Sequence, residues 1–213
     1  MIGFYDYTVI LTYISAICAV LGMTQIAQGK VKIALYCLMA CGMFDLFDGK
    51  VARTKKNRTT REKVFGIQID SLCDVLCFGM FPAMINYYVC EGGRVCRLLA
   101  IIGSSMLVVG AIIRLGYFNV MEQERQQETD ENRVSYKGLP VTSDAAIIPF
   151  AYLMREIAER QLQSPIFNIV FCIIIILIAI LFVMDIDIKK PNGKGIIALG
   201  VMAVTIIFGL IMV

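Results

Sequence analysis

Four aspartates inside otherwise apolar segments constrain this chain more than any other feature. They are Asp45, Asp48, Asp70 and Asp74. An ionised carboxylate in an apolar environment is costly unless it binds a partner, so buried acids of this kind point to a shared cation. We therefore expect the segments that carry them to pack together around a bound ion.

The surrounding sequence is that of a membrane protein. The chain has 213 residues, of which 58% are hydrophobic, and its mean hydropathy is +0.74. An ordinary soluble domain is less apolar than this. Since about 20 apolar residues make one span, we predict an all-α integral membrane bundle of six to seven transmembrane helices, formed by residues 1–213 as a single domain. The predicted spans are residues 7–28, 31–52, 64–90, 96–120, 139–157, 165–185 and 194–213. We expect 7–28 to be an uncleaved first span and 194–213 to be either a seventh span or a peripheral helix.

The spacing of the acids predicts how they meet. Asp45 and Asp48 are three residues apart, and Asp70 and Asp74 are four apart, so each pair lies on one face of a helix. The segment between the pairs is rich in Lys and Arg, which favours a polar turn joining two antiparallel helices at the membrane surface. Oxygen ligands are typical of Mg²⁺ or Mn²⁺ sites, and the chain has no His for a typical zinc site.

The order of residues around the acids resembles the signature of the CDP-alcohol phosphotransferase family. The matching pattern is Asp45-x-x-Asp48-Gly49-x-x-Ala52-Arg53, followed by Gly66-x-x-x-Asp70-x-x-x-Asp74. Members of that family are membrane enzymes that move a phosphoalcohol from a CDP carrier to an acceptor hydroxyl. The resemblance implies that the four aspartates hold the metal and that Asp74 also acts as general base. It further implies a nucleotide site at Gly49, Ala52, Arg53 and Gly66.

The turn between the two halves of the pattern is longer than is usual in the family. Twelve residues separate Arg53 from Gly66, where about eight are usual. Asn57, Thr59 and Thr60 are weak helix formers. We therefore expect the extra residues to loop into solvent and not to extend either helix.

Three further runs are similar to the family members that use serine as acceptor. They are Ser71 with Phe78-Gly79 and Pro82, then Arg114-Leu115-Gly116-Tyr117-Phe118-Asn119, and then Gly138-Leu139-Pro140. This similarity implies CDP-diacylglycerol and L-serine as substrates, with Arg114, Asn119 and Lys137 at the acceptor. Glycerol 3-phosphate or an inositol compound remains an alternative acceptor, because such enzymes share the motif. Pro82 is expected to bend its helix by removing a backbone hydrogen bond.

The distribution of basic residues predicts the orientation in the membrane. The segments 53–63, 121–138 and 186–194 hold twelve Lys and Arg, against six in the alternate loops. This bias places the first set, and with it the active site, in the cytoplasm. From the resemblance we expect a bacterial inner membrane and a homodimer. Nothing in the sequence indicates nucleic-acid binding.

Two other functions and two structural details stay open at this stage. Intramembrane acids also mark ion pathways, so a divalent-cation transporter is an alternative, and a purely structural membrane protein is a weaker one. Most of the eight cysteines lie in apolar runs as packing residues, although Cys90 and Cys96 could pair in an oxidising compartment. Asp144 needs a partner, for which Arg114 or Lys137 is a hypothesis.

Overall fold

A computed structural model describes residues 3, 6–52, 54–55, 57, 59–90, 93–128, 135–162, 164, 166–189 and 193–213. The described part is almost entirely helical. Its helices are α1 (Ile10–Ala27), α2 (Val31–Ala52), α3 (Thr60–Asp74), α4 (Phe81–Val89), α5 (Arg94–Glu128), α6 (Asp144–Leu162), α7 (Ile166–Val183) and α8 (Gly193–Met212). Short 3₁₀ helices at Tyr7–Val9 and Val141–Ser143 precede α1 and α6.

The exposed surface of the bundle is apolar, as a membrane protein requires. On α1, large side chains at helical spacing face outward: Ile10, Ile14, Ile17 and Leu21. Within the described residues, four helical stretches are long and apolar enough to cross a membrane: Tyr7–Ala27, Thr60–Val89, Arg94–Glu124 and Ile166–Val183. The predicted class, an all-α integral membrane protein, is confirmed. Helices α2 and α6 fall outside this set because charged residues interrupt them, so seven crossings remain a prediction.

The core holds two close helix pairs, α1 with α2 and α5 with α7, with α4 packed against α5 and α1. Phe78, Phe81, Leu35 and Leu38 are fully buried within it. A Cβ at Gly22 of α1 would lie 2.1 Å from Cζ of Phe81. Only glycine therefore permits α1 to approach α4 this closely.

The prediction that the extra residues before Gly66 loop into solvent is wrong, because α3 already begins at Thr60. The Thr59 hydroxyl accepts a hydrogen bond from the backbone N–H of Glu62, and the Glu62 carboxylate accepts one from the Thr59 N–H. This reciprocal cap starts the helix at Thr60, so residues 60–65 extend α3 instead of looping out. The Thr-x-x-Glu spacing was a readable signal for this start, and it outweighs the low intrinsic helix propensity of Thr60.

A π-helical segment, Val75–Met80, joins α3 to α4 directly after Asp74. The N–H of Phe81 donates to the carbonyl oxygen of Leu76, five residues earlier. Pro82, in the first turn of α4, has no N–H to donate. The bend predicted at Pro82 thus takes the form of a widened helical turn just before it. This turn begins directly after Asp74, the last acid of the motif.

A two-stranded antiparallel ribbon was not predicted. Strand β1 (Ser135–Lys137) pairs with β2 (Asp187–Lys189), with Tyr136 opposite Ile188. Gly138 follows β1 with φ 67°, a left-handed conformation that glycine adopts without strain. Its N–H donates to the carbonyl oxygen of Ile186 at 2.6 Å. The two polar segments that we expected to be separate surface loops are therefore joined to each other.

Candidate active site

The structure brings the motif acids of α2 and α3 together at one end of the bundle. Carboxylate oxygens of Asp45, Asp70 and Asp74 lie within 4.8 Å of one another. The Asp48 side chain interacts with that of Asp70, and the Asp45 side chain with that of Asp74. All four side chains are half-buried. Two helices thus present four acids to a common volume that remains open to a ligand.

The donor set of this cluster fits a hard divalent cation. At a metal–oxygen distance of about 2.0–2.1 Å, opposite ligands of an octahedral Mg²⁺ lie about 4.2 Å apart. The 4.8 Å limit on the oxygens of Asp45, Asp70 and Asp74 is compatible with that distance after small side-chain adjustments. Without a cation, four carboxylates at this separation would repel one another. The geometry therefore suits Mg²⁺ or Mn²⁺, with Asp48 completing the acidic wall.

The turn between the motif helices is held down by the N-terminal segment. Lys55 Nζ contacts Asp6 Oδ2 at 2.8 Å and Glu62 Oε1 at 3.0 Å, and the hydroxyls of Tyr7 and Thr54 are 3.0 Å apart. The hydrogen bond from Lys55, with help from Thr8, lowers the pKa of Asp6 to about 2. The same contact raises the pKa of Lys55. These ion pairs fix the turn over the acid cluster.

Helix α1 lies directly behind the acids. The Cys73 thiol, next to Asp74 in sequence, donates to the carbonyl oxygen of Thr12 at 3.1 Å, and Ser15 Oγ lies 3.4 Å from Cys77 Sγ. Thr12 and Ser15 are buried. Thr12 and Ser15 therefore lie against the motif helix and its continuation and not against lipid.

The residues expected to contact the nucleotide lie on the last turns of α2 and in α3. Gly49 is exposed, and a Cβ built there would meet no atom within 4 Å. Ala52 ends α2, and Gly66 is half-buried in α3, one helical turn before Asp70. Arg53, predicted to contact phosphate, lies outside the described residues. The open space beside Gly49 is large enough to admit a ligand to the backbone.

Asn119 is the predicted acceptor residue that the structure ties directly to the motif. Its Oδ1 accepts a 2.8 Å hydrogen bond from the hydroxyl of Ser71, the neighbour of Asp70. This bond joins α5 to α3 at the level of the acids. The side-chain amide of Asn119 is therefore held at the edge of the acidic volume, which suits contact with an acceptor.

Arg114 lies five residues, or about 1.4 helical turns, before Asn119 and is only 6% exposed. Its Nη1 donates to the carbonyl oxygen of Phe182 at 3.3 Å, and its guanidinium group lies 4.6 Å from the centre of the Phe118 ring. A Cβ at Gly138 would lie 2.8 Å from this Nη1. Arg114 is thus packed between α5, α7 and the Gly138 turn. The side chain of Lys137 lies outside the described residues.

Asp144, at the start of α6, does not have the environment that we expected, in which a basic side chain pairs with its carboxylate. It is 0% exposed, and neither carboxylate oxygen has a hydrogen-bond partner within the described part of the chain. The hypothesis that Arg114 is its partner is therefore wrong. A Cβ at Gly42 of α2 would lie 2.6 Å from Cβ of Ala145, so close packing of α6 on α2 encloses the carboxyl group.

Sequence reasoning missed the residues that fix the turn. Asp6 and Lys55 are far apart in sequence, and no local pattern relates them. The cap formed by Thr59 and Glu62, by contrast, has a sequence spacing that could have been recognised. Both features position the motif helices and do not contact the reacting groups.

The sequence is similar to known proteins over most of its length. The model of the family described as CDP-alcohol phosphatidyltransferase matches residues 7–211. The chain is 26% identical over 188 residues to a protein of Methanothermobacter thermautotrophicus named archaetidylserine synthase, covering 87% of this chain and 70% of that protein. It is 28% identical over 182 residues to a Helicobacter pylori protein named CDP-diacylglycerol–serine O-phosphatidyltransferase, covering 83% and 69%.

A Saccharomyces cerevisiae protein with the same name as the H. pylori enzyme is 31% identical over 115 residues, covering 53% of this chain and 39% of the yeast protein. The family match extends over nearly all of the chain, from the residue that precedes α1 by three positions to the end of α8. It includes both motif helices and the acids that they bring together. The chain belongs to the CDP-alcohol phosphatidyltransferase family.

Proposed function

We propose that the protein transfers a phosphatidyl group from CDP-diacylglycerol to the hydroxyl of L-serine, giving phosphatidylserine and CMP. The observation that carries the proposal is the convergence of acids from α2 and α3 on one volume. The names of the relatives, which specify serine or archaetidylserine synthesis, support serine as the acceptor. The family membership supports the CDP-linked donor.

Asp45, Asp48, Asp70 and Asp74 would hold one or two divalent cations. A cation held there, Mg²⁺ or Mn²⁺, would supply positive charge to neutralise the pyrophosphate of the donor and polarise the bond to be broken. Arg53 follows α2 in sequence and would contact the same phosphates, as its place in the motif implies. The open side of Gly49, together with Ala52 and Gly66, would receive the cytidine.

Asp74 would act as the general base. Its carboxylate accepts the proton of the serine hydroxyl while the serine oxygen forms a bond to the lipid-bearing phosphorus. The bond between that phosphorus and the bridging oxygen breaks, and CMP leaves with the electron pair. Because serine hydroxyl is a weak nucleophile, its position in line with the breaking bond is as important as its deprotonation.

Asn119, Arg114 and Lys137 would form the acceptor pocket. Asn119 is held beside the acids by Ser71. Arg114, which lies five residues earlier in α5 and is buried, would supply a permanent cation for the serine carboxylate. Lys137 precedes the Gly138 turn that packs on Arg114. A carboxylate-bearing acceptor fits these three residues better than a neutral polyol, because two of the three carry positive charge.

The proposed setting is a bacterial inner membrane, with the acidic end facing the cytoplasm and the protein acting as a homodimer. Basic residues concentrate in the segments on the acidic side, including the turn that holds Lys55. This orientation gives the acids access to soluble serine and to the CDP headgroup at the membrane surface.

The deciding experiment measures CMP release by purified protein in mixed micelles containing CDP-diacylglycerol. We expect release with serine and Mn²⁺ or Mg²⁺, little release with glycerol 3-phosphate or inositol, and none after chelation of the metal. Preference for another acceptor would overturn the serine assignment and leave the reaction type intact. No CMP release with any acceptor, combined with metal uptake by vesicles containing the protein, would favour the transporter alternative.

A further inference from the structure

Three buried cysteines meet at the end of the bundle opposite the acids. They are Cys90 at the end of α4, Cys96 in the first turn of α5, and Cys172 in α7. Their Sγ atoms lie within 4.8 Å of one another, and the residues are 4%, 5% and 0% exposed. The helical path from Asp74 to Cys90 is on the order of 24 Å long. This thiol triad is thus separate from the proposed active site.

Two of the three sulfurs are closer than unbonded atoms should be. Cys172 Sγ lies 2.8 Å from Cys90 Sγ. Unbonded carbon atoms prefer about 3.5–4.0 Å, and sulfur is larger than carbon. A disulfide bond is about 2.05 Å long. The pair therefore needs to close by less than 1 Å to bond, and as two separate thiols it would have to move apart.

The packing around the triad holds these two thiols in place. Asn86, which is fully buried, donates to Ser104 Oγ at 3.0 Å and accepts a hydrogen bond from the Cys90 thiol at 3.3 Å. Gly103 of α5 permits close approach of α7, because a Cβ there would lie 3.1 Å from Ile176 Cγ1 and 3.6 Å from the carbonyl oxygen of Cys172. The absence of a side chain at Gly103 brings Cys172 to the end of α4.

We propose that Cys90 and Cys172 are a redox site that forms a disulfide bond between α4 and α7, and that Cys96 remains a thiol. The pair differs from the Cys90–Cys96 pairing considered from sequence. In the proposed orientation this end of the bundle faces the outside of the membrane, where disulfides persist. A buried bond at this position would tie α4 covalently to α7, which otherwise meet through packing and the hydrogen bond from the Cys90 thiol to the carbonyl oxygen of Asn168.

The chemistry is an exchange with a small-molecule disulfide such as oxidised glutathione. The Cys90 thiolate attacks one glutathione sulfur and releases the other glutathione as a thiolate, which leaves a mixed disulfide on Cys90. The Cys172 thiolate then attacks the Cys90 sulfur and releases the second glutathione. Two protein thiols are oxidised, one glutathione disulfide is reduced, and the two thiol protons pass to the departing thiolates.

A bound thiophilic metal fits the distances less well. At a metal–sulfur distance of about 2.3 Å, thiolates around one tetrahedral zinc ion lie about 3.8 Å apart. Cys90 and Cys172 would have to separate by about 1 Å from the 2.8 Å observed. The disulfide requires a smaller movement in the opposite direction, so we assign the pair to redox chemistry, and the experiment below tests the metal directly.

The test maps thiols in the full-length protein in detergent after treatment with oxidised glutathione. Free thiols are alkylated, and the protein is digested with trypsin, which separates Cys90 from Cys96 at Arg94. We expect mass spectrometry to find the Cys90 and Cys172 peptides linked and Cys96 alkylated. Dithiothreitol should reverse the link. The oxidised protein should have a Tm about 5–15 °C above that of the reduced protein.

Two matched variants sharpen the test. Cys96→Ala should retain the link, whereas Cys90→Ala should lose it. Alkylation of both Cys90 and Cys172 after oxidation of the wild-type protein would overturn the proposal, and so would a bond that joins Cys96 to either partner. Stoichiometric metal in the purified protein, with thiols protected until a chelator is added, would overturn it as well. The wild-type peptide map decides the question even if Cys90→Ala does not fold.

Discussion

The hydroxyl of Ser71 donates a 2.8 Å hydrogen bond to Oδ1 of Asn119, and this contact connects the motif helix α3 to α5. Ser71 follows Asp70 directly, so the position of Asn119 is tied to that of a proposed metal ligand. A change at either residue should therefore weaken binding of the acceptor more than binding of the nucleotide-linked donor.

The Ser71 contact predicts a non-additive effect on serine. Ser71→Ala removes one neutral hydrogen bond and should raise the KM for serine about 2- to 10-fold. Asn119→Ala should raise it at least as much, and the double variant should add little to Asn119→Ala because the two residues act through one contact. Steady-state kinetics with serine and CDP-diacylglycerol varied separately would measure this. Additive effects in the double variant would show that the contact does not position the acceptor.

A serine at the far end of the bundle offers the control. Ser104 Oγ donates to the carbonyl oxygen of Ala83 at 2.8 Å, in the same α4–α5 contact that holds Asn86. Ser104→Ala should lower thermal stability by a similar amount to Ser71→Ala and leave the KM for serine unchanged.

Asp74→Asn should separate binding from chemistry. Asparagine keeps the shape of the side chain and removes the proton acceptor, so turnover should fall about 10²- to 10⁴-fold while CDP-diacylglycerol binding is largely retained. Turnover is measured by CMP release and donor binding by equilibrium titration. Turnover near the wild-type value would remove Asp74 as the base. Loss of donor binding in this variant would mean instead that Asp74 acts mainly as a metal ligand.

Gly49→Val tests the open space beside the end of α2. A Cβ at Gly49 meets no protein atom within 4 Å, so the variant should fold normally. If the cytidine occupies this space, the added side chain should raise the KM for CDP-diacylglycerol about 10- to 100-fold. The reason is that extra atoms in an occupied space cost about 1–3 kcal/mol of binding free energy. Gly200→Val is the matched control, because Gly200 is also helical with nothing within 4 Å. Equal behaviour of the two variants would place the nucleotide elsewhere.

Arg114→Ala should raise the KM for serine about 10- to 100-fold, with a smaller effect on the KM for CDP-diacylglycerol, because a charged hydrogen bond to the acceptor is lost. It should also lower the Tm, since Arg114 donates to the carbonyl oxygen of Phe182. Phe118→Leu removes the ring below the guanidinium group and keeps the cation. This control should keep the KM for serine near the wild-type value. Equal loss for both substrates in Arg114→Ala would assign the residue a structural role.

The ion pair between Asp6 and Lys55 predicts a pH-dependent contribution to stability. The pKa of Asp6 is lowered to about 2 in the folded protein from an ordinary value of 3.8, so the pair stabilises the fold above about pH 4 and loses this effect as the pH falls toward 2. The Tm difference between wild type and Asp6→Asn should therefore be constant from pH 7 to about pH 5 and narrow below pH 4. A difference that persists at pH 2 would show that the ion pair is not its source.

The convergence of the four motif acids could be predicted from sequence, because helical spacing alone puts each pair on one face of its helix. The start of α3 was misplaced because low helix propensity was weighed above the capping pair of Thr59 and Glu62. The β1–β2 ribbon and the contact between Asp6 and Lys55 join residues distant in sequence, and no local pattern specifies such contacts. The environment of Asp144 depends on how closely α6 packs on α2, which only the three-dimensional structure gives.

The π-helical segment Val75–Met80 has a consequence for the whole second half of the motif helix. One residue more than an α-helical turn requires is accommodated there, and each residue of a helix corresponds to a rotation of about 100°. Deleting one residue from an α-helical part of this helix would turn everything after it by about 100°. Deleting one residue from Val75–Met80 would instead let the widened turn close to an α-helical turn, so Phe81 would keep facing its neighbours. The segment therefore allows the acidic end and the cysteine-bearing end of this long helix to keep their relative orientation despite the extra residue.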